Sequence, residues 1–248
     1  MKLDAWKIVW GVLLVVLSTA AYIAHYLIFR DPHHLFIFLV GDIAFVFIEV
    51  LLVTMIIHEL LNYREQKATM GKLNMLIGAF YSEMGSSLLR KLACFDHNSD
   101  DLKGRLIDCG QWPDDTFVKK AGECRLYVHS IDCNRGSLSE LREFLVEKRP
   151  FMLNMLQNPK LLAHETFTNL LWSIFHLTEE LALRDDGTEF SETDHRHIGG
   201  DIERAYGLLI VEWLQYMRHL KDNYPYLFSL ASRMNPFDPQ ASPEVREA

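Results

Sequence analysis

The sequence predicts an all-α protein in which a two-helix transmembrane hairpin is followed by a cytoplasmic α-helical bundle. Two apolar runs near the N-terminus are each about as long as a bilayer is thick. After them, apolar residues recur at steps of three and four, and no alternating strand pattern competes with this spacing. The chain is therefore predicted to divide into the hairpin at 1–61, the helical domain at 62–234 and a disordered tail at 235–248.

The first apolar run, at residues 6–29, contains Lys7 and His25 as its only readily charged side chains. About 20 residues at a rise of about 1.5 Å cross the hydrocarbon core, so the run is long enough for a membrane helix. A cleaved signal peptide is the alternative, because lysines precede the run and the small residues 18–20 resemble a cleavage site. The run continues for another turn or two past Ala20, which favours a retained helix.

The second apolar run begins at Leu35 and is predicted to be helical to about residue 61. Residues 30–34 separate the two runs, because Pro32 cannot continue a helix that began before it. This separation is short, so the two segments are expected to form a helical hairpin.

Basic residues near the segment ends predict the orientation of the hairpin. The N-terminus has two lysines and the stretch after the second segment has Arg64, Lys67 and Lys72, whereas the connecting loop has Arg30 alone. Since Lys and Arg are enriched on the cytoplasmic side, both termini are expected in the cytoplasm. The chain is thus expected to be an integral protein of the plasma or inner membrane, with the lipid bilayer as its first partner.

Asp42 and Glu49 lie inside the second segment, seven residues apart and so on one face of a helix. A carboxylate near the bilayer centre costs about 2.5–3.5 kcal/mol and usually faces a bundle interior, a cavity or a partner. One interpretation is an ion or proton path, which would require oligomerisation because two helices cannot enclose water. The other is a polar seam between copies, or a hydrogen bond to a neighbouring helix with His25 as a candidate partner, serving assembly alone.

The first part of the helical domain continues from the membrane without a Gly or Pro linker. The second membrane helix is expected to emerge into water at residues 58–67 and to lead into an amphipathic stretch that reaches Leu92. Residues 95–115 are polar and contain Gly and Pro, so a long, flexible connection is predicted there. Apolar residues from Phe117 to Ile131 predict a further helix.

A capping signal and two prolines delimit the next element. Ser137 and Glu140 form a capping-box pattern, so a helix is expected to begin there. It is expected to kink or restart at Pro150 and to end near Pro159, since proline cannot donate the backbone hydrogen bond of a helix interior.

The remaining helices follow from apolar spacing and from turn residues. One is predicted at 160–183 with a stop at residues 185–187, and a last long helix at 193–223. A short helix at 226–234 begins in a segment dense in aromatic residues, which is expected to pack on the bundle or on a protein partner.

Charge and cysteine content exclude some classes of partner and site. The net charge of the chain is −8, and the part after the hairpin is acidic as well. This is the wrong sign for neutralising phosphates, so a nucleic acid is not expected as a partner. The four cysteines form no C-x-x-C pair, which favours free thiols, reduced if the domain is cytoplasmic.

The sequence lacks the common phosphate-binding, dinucleotide-binding, serine-hydrolase and zinc-protease motifs. A metal site is one remaining hypothesis, because carboxylates and histidines that point inward from separate helices are how di-iron bundles bind metal. Its candidate ligands are Glu83, His176, Glu180 and Glu212. The alternative interpretation is that these residues are hydrogen-bonded polar groups of the interior or solvent-exposed groups at helix ends. It is favoured because the two Glu-x-x-His motifs of such bundles are absent.

His195 and His197 near the start of the last long helix are interpreted as surface residues, since two ligands on one helical face would be three or four residues apart. No cofactor is predicted apart from the di-metal hypothesis.

Three functional hypotheses follow, with the activity itself left open. The leading one is a non-enzymatic, membrane-anchored module for interaction, sensing or assembly that forms a homo-oligomer. The alternative is an oligomeric channel or transporter subunit lined by Asp42 and Glu49. The third is a metal-dependent helical-bundle enzyme that uses the four candidate ligands.

Overall fold

A computed structural model of the chain describes residues 5–162, 164–184 and 190–245. The described residues form helices and no strands, which confirms the all-α prediction. Their contacts divide the chain into two compact units, one at 1–67 and the other at 68–248.

The N-terminal unit is built from helix α1, Ala5–Phe29, and the larger part of helix α2, Pro32–Phe80. The turn between them is shorter than predicted, because Pro32 is the first residue of α2, where its missing N–H costs no helical hydrogen bond. Arg30 has a φ of 51° and reverses the chain direction. The Asp31 carboxylate then accepts a hydrogen bond from the backbone N–H of His33 at 2.9 Å, which caps α2.

Both helices of this unit could span a membrane by length and composition, over Trp6–Phe29 and Leu35–Arg64. Their large apolar side chains are exposed within the single chain. The predicted continuation of the second segment through residues 58–67 is part of α2.

The second unit begins within α2. Its further elements, after a π-helical turn at Tyr81–Gly85, are α3 (Ser86–Ala93), α4 (Ser99–Leu106), α5 (Asp114–Arg125), α6 (Leu138–Leu156), α7 (Pro159–Leu162), α8 (Glu165–Ala182), α9 (Glu192–Asn223) and α10 (Pro225–Arg233).

Helix α9 is the centre of this unit and packs against α5, α8 and α10. Its fully buried positions recur at steps of three and four, as an amphipathic helix requires; they include Ile198, Ile202, Ala205, Leu209 and Met217. Ser191 begins the helix by accepting a hydrogen bond from the N–H of Asp194 at 3.2 Å. The predicted stop at residues 185–187 lies outside the described residues.

The connection predicted at residues 95–115 contains α4 and a short 3-10 turn at Cys109–Gln111. Two leucines four residues apart, Leu102 and Leu106, are fully buried and anchor α4 to the core. Helix α5 ends at Arg125, earlier than the predicted end near Ile131. The segment after it turns away from the helix, and its His129 Nδ1 lies 3.1 Å from Asp96 Oδ2.

The predicted cap at Ser137 is present, since its hydroxyl accepts a hydrogen bond from the N–H of Glu140 at 3.2 Å. Pro150 does not break α6, because Pro150 and Val146 lie on its exposed side, where water can replace the missing N–H. The helix predicted at 160–183 is divided into α7 and α8 by His164, whose ring accepts a hydrogen bond from the N–H of Phe167 at 3.2 Å.

The segment after α10 starts differently from the predicted tail. Asn235 is buried, and its side-chain amide donates to the carbonyls of Leu106 and Ile107 at 3.0 Å each. Phe237 packs on Trp213 with ring centroids 5.2 Å apart. The beginning of the segment therefore belongs to the folded domain.

Candidate functional site

The polar residues of the N-terminal unit have different environments. The Tyr22 hydroxyl donates a hydrogen bond to Asp42 Oδ2 at 3.0 Å, so Asp42 has a partner on α1. The His25 ring lies against Phe29, with centroids 4.8 Å apart. Glu49 is exposed, and its carboxylate has no hydrogen bond or ion pair with any residue that the structure describes.

Two of the four predicted metal ligands do not meet the others. Glu83 lies in the π-helical turn and forms an ion pair with Lys148 at 2.8 Å. Glu212 is buried in α9, where burial raises the pKa of its carboxyl group despite a hydrogen bond from Thr166. Glu83 and Glu212 therefore lie in separate regions of the domain and do not form a metal site with the other two residues.

The other two predicted ligands, His176 and Glu180, lie one turn apart on α8 and meet two residues of α9. The histidine Nε2 lies 4.0 Å from Glu180 Oε1 and 3.5 Å from Asp201 Oδ2. From α9, His197 Nε2 lies 3.7 Å from Glu180 Oε2 and 3.6 Å from Asp201 Oδ2. We call these four residues, His176, Glu180, His197 and Asp201, the α8–α9 cluster.

Two arginines bind the carboxylates of the α8–α9 cluster. Arg184 donates to Glu180 Oε2 at 2.7 Å and lowers the pKa of that carboxyl group, which keeps it ionised. Arg204 donates to Asp201 Oδ1 at 2.9 Å. The Asp201 side chain is only 4% exposed, and its Oδ2 accepts no hydrogen bond from the described residues.

Sequence reasoning missed half of this cluster. His197 was interpreted as a surface residue, and its side chain is indeed 54% exposed, but its ring faces the α8 pair. The signal that could have found it is a repeated spacing, because His176 precedes Glu180 by four residues and His197 precedes Asp201 by four. A search along one helix for paired histidines could not detect a site assembled from two helices.

A separate cavity of about 670 Å³ lies in the second unit, between the last turns of α2, the π-helical turn, α3, α9 and α10. We call it the aromatic cavity after its aromatic lining, which consists of Tyr81, Trp213, Tyr216, Tyr224 and Tyr226. The Tyr81 and Tyr216 rings are stacked with centroids 4.9 Å apart, and the Tyr81 hydroxyl donates to the Leu209 carbonyl at 3.0 Å. These contacts fix one wall.

Arg90 is the one permanently charged residue among those described that line the aromatic cavity. The polar lining residues of the cavity include Ser82, Ser86, Ser87 and Arg90. Burial lowers the pKa of His219, so this second lining group is neutral near pH 7, and its Nδ1 lies 3.0 Å from the Asn74 amide. Among the described residues, no carboxylate lines the cavity.

The two units correspond to two separate family matches. The family model described as "Uncharacterized protein MJ1433, C-terminal helical domain" matches residues 69–233, and that described as "MJ1433, N-terminal helical domain" matches residues 2–61. The chain belongs to the MJ1433 family. The structural boundary between the two MJ1433-family units, after residue 67, falls in the short stretch between the matches.

The MJ1433 protein of Methanocaldococcus jannaschii is a relative that matches across both units. It is 40% identical to this chain over 228 residues, which are 92% of each protein. No solved structure matches this member of the MJ1433 family.

Proposed function

We propose that this protein is a membrane-anchored binding module with both termini in the cytoplasm. In this proposal the N-terminal helices hold the chain in the bilayer, and the helical domain binds an amphipathic anion in the aromatic cavity. The observation that carries it is the cavity lining, which combines aromatic and aliphatic walls with one cationic group, Arg90. The role is sensing or assembly without chemistry on the ligand.

The lining defines the chemical class of the ligand. Ligand cavities of about 300–1,000 Å³ enclose small organic molecules with mostly apolar walls and a few polar groups that fix orientation. Here the apolar walls suit a ring or short chain, and the hydroxyls of Ser86 and Ser87 beside Arg90 suit a carboxylate or a similar anionic head. A cationic ligand would meet the guanidinium without any compensating carboxylate in the lining.

The binding site and the proposed anchor share one helix. Asn74, Met75 and Gly78, which line the aromatic cavity, belong to α2, whose earlier part is the second apolar segment. A ligand that contacts these residues therefore contacts the helix that enters the proposed bilayer, which supports a sensing role.

A homo-oligomer is part of the proposal. An outward-facing carboxylate at membrane depth costs about 2.5–3.5 kcal/mol, so Glu49 requires a polar partner from outside its own hairpin. Asp42 already has Tyr22, which favours assembly over an ion path for that residue. Light scattering of detergent-solubilised protein is expected to give a defined oligomer, and Glu49→Gln to shift it towards monomer. A strict monomer at all concentrations would contradict the oligomer.

The ligand is tested with two probes that share a body and differ in charge, naphthoate and naphthylmethylammonium. They are titrated calorimetrically into the full-length protein in lipid nanodiscs, with empty nanodiscs as the baseline. We expect saturable binding of naphthoate, with the ammonium probe weaker by about tenfold or more, or about 1.4 kcal/mol.

Variants locate the binding. Arg90→Gln should remove the preference for the anion, whereas Arg105→Gln, at an arginine outside the lining, should leave it unchanged. Ala231→Phe, which fills the cavity, should weaken both probes. Equal binding of the two probes, or binding that Ala231→Phe leaves intact, would overturn the assignment.

A further inference from the structure

We infer that the α8–α9 cluster is a binding site for a single divalent transition-metal ion, held by His176 and Glu180 from one helix and by His197 and Asp201 from the other. The site shares no residue with the lining of the aromatic cavity, although both use α9, and it does not depend on what that cavity binds.

The separations between imidazole and carboxylate donors approach those that a tetrahedral ion requires. Zinc lies at about 2.0–2.2 Å from imidazole nitrogen and carboxylate oxygen, which places neighbouring donors about 3.4 Å apart. The four cross-contacts between imidazole and carboxylate groups are 3.5–4.0 Å. The ligand atoms of His176, Glu180 and His197 all lie within 4.8 Å of one another. The two rings face different oxygens of Glu180, so metal binding requires this carboxylate to rotate together with the half-exposed rings.

Asp201 gives an independent reason for an ion. Its side chain is almost completely buried, yet Oδ2 accepts no hydrogen bond from the described residues while facing both imidazole Nε2 atoms. A buried carboxylate oxygen without a donor costs free energy, about 1–3 kcal/mol or more for a charged group. A cation placed between Oδ2 and the two rings would satisfy this oxygen and both nitrogens at once.

The arginines complete the site. Arg184 and Arg204 each hydrogen-bond one carboxylate of the cluster and thereby fix its orientation. Ligating carboxylates are commonly held by such second hydrogen bonds. Two imidazoles with two carboxylates suit zinc and its first-row neighbours, whereas calcium and magnesium prefer oxygen ligands alone.

Metal titrations of the full-length, untagged protein test the site. Protein in detergent is freed of metal with a chelator, and binding of Zn²⁺ is measured by calorimetry and of Co²⁺ by visible absorption, which reports coordination directly. We expect one equivalent per chain and a Co²⁺ spectrum of low coordination number. His176→Ala and His197→Ala should each weaken Zn²⁺ binding by about tenfold or more.

The control is His195→Ala, a histidine on the same helix whose ring stacks on Phe190 at 5.6 Å; it should retain full binding. Both cluster histidines are about half exposed, so their variants should fold, which circular dichroism verifies. Absence of stoichiometric binding, or binding that survives both cluster variants, would overturn the site. Arg90→Gln should not alter Zn²⁺ binding, which separates this result from that of the aromatic cavity.

Discussion

Phenylalanine has opposite environments in the two units of this chain. In the helical domain, Phe80 is 0% exposed and meets the Phe167 ring edge-on with centroids 5.2 Å apart. In the N-terminal unit, Phe47 lies on a regular helix and is 74% exposed. The helical domain buries its apolar residues in its own core. The apolar residues of the N-terminal helices are exposed in the single chain and require lipid or another protein chain to cover them.

Carboxylates show the same contrast. Asp96 in the helical domain is fully buried, and its two oxygens accept from the His129 ring and from the backbone N–H groups of Asn98 and Ser130. Glu49 in the N-terminal unit is exposed in the single chain. The carboxylate of Asp96 thus has its partners within the chain, whereas that of Glu49 is expected to find its partner in another molecule, which is why anchoring and assembly are proposed together.

Truncating the two phenylalanines should give the largest difference. Phe80→Ala is expected to lower the free energy of unfolding of the helical domain by about 3–5 kcal/mol, because it leaves a cavity in a closed core. Phe47→Ala is expected to cost less than about 1 kcal/mol, since no packed neighbours are lost. Chemical denaturation of both variants, followed by circular dichroism, measures the difference; equal losses would contradict the contrast.

Removing Asp96 should have the next largest effect. Asp96→Ala leaves the His129 ring and two backbone N–H groups without their acceptor, and we expect a loss of about 3 kcal/mol. The matched control is Asp100→Ala, whose exposed carboxylate pairs with Lys103 at the surface and should contribute far less to stability. If the two variants unfold alike, the buried network does not stabilise the domain.

The ionisation of Glu212 should give a smaller, pH-dependent effect. Burial raises the pKa of this carboxyl group above its ordinary value of 4.5, so the folded state holds the proton more tightly than the unfolded state. Its favourable contribution is complete below that ordinary value and is lost as the pH rises through the folded-state pKa. Glu212→Gln, which cannot ionise, should therefore be more stable than wild type near pH 7, and this advantage should vanish in acid.

Melting temperatures of wild type and Glu212→Gln, measured across this pH range, check the sign. The control is Glu83→Gln, because Glu83 is half exposed and pairs with Lys148 at the surface. A Glu212→Gln advantage that is constant with pH would show that burial does not perturb this group.

Local patterns predicted much of the fold. The apolar runs, the Ser137 cap and the extent of α9 depend on residues close in sequence, and these predictions agree with the structure. The sequence did not reveal α4, whose leucines gain their burial from distant helices, nor the role of Asn235, which binds carbonyls 128 and 129 residues away.

The α8–α9 cluster could be predicted only in part for the same physical reason. The spacing along α8 placed His176 and Glu180 on one face, but the register between two packed helices determines that His197 and Asp201 lie opposite them. That register depends on the whole core and has no local signal. Glu83 and Glu212 were grouped with them as carboxylates within apolar helical stretches, and each lies in another environment.

Cysteine labelling of intact and inverted membrane vesicles tests the central claim, that the N-terminal helices anchor the domain at the cytoplasmic face. Cys94 is exposed, whereas burial raises the pKa of the Cys109 thiol to about 12 and those of Cys124 and Cys133 to about 11, so they react slowly. We predict that the protein stays with membranes after an alkaline carbonate wash and that an impermeant maleimide labels Cys94 in inside-out vesicles alone, with Cys94→Ser unlabelled. Release by carbonate, or labelling in right-side-out vesicles, would contradict the anchor or its orientation.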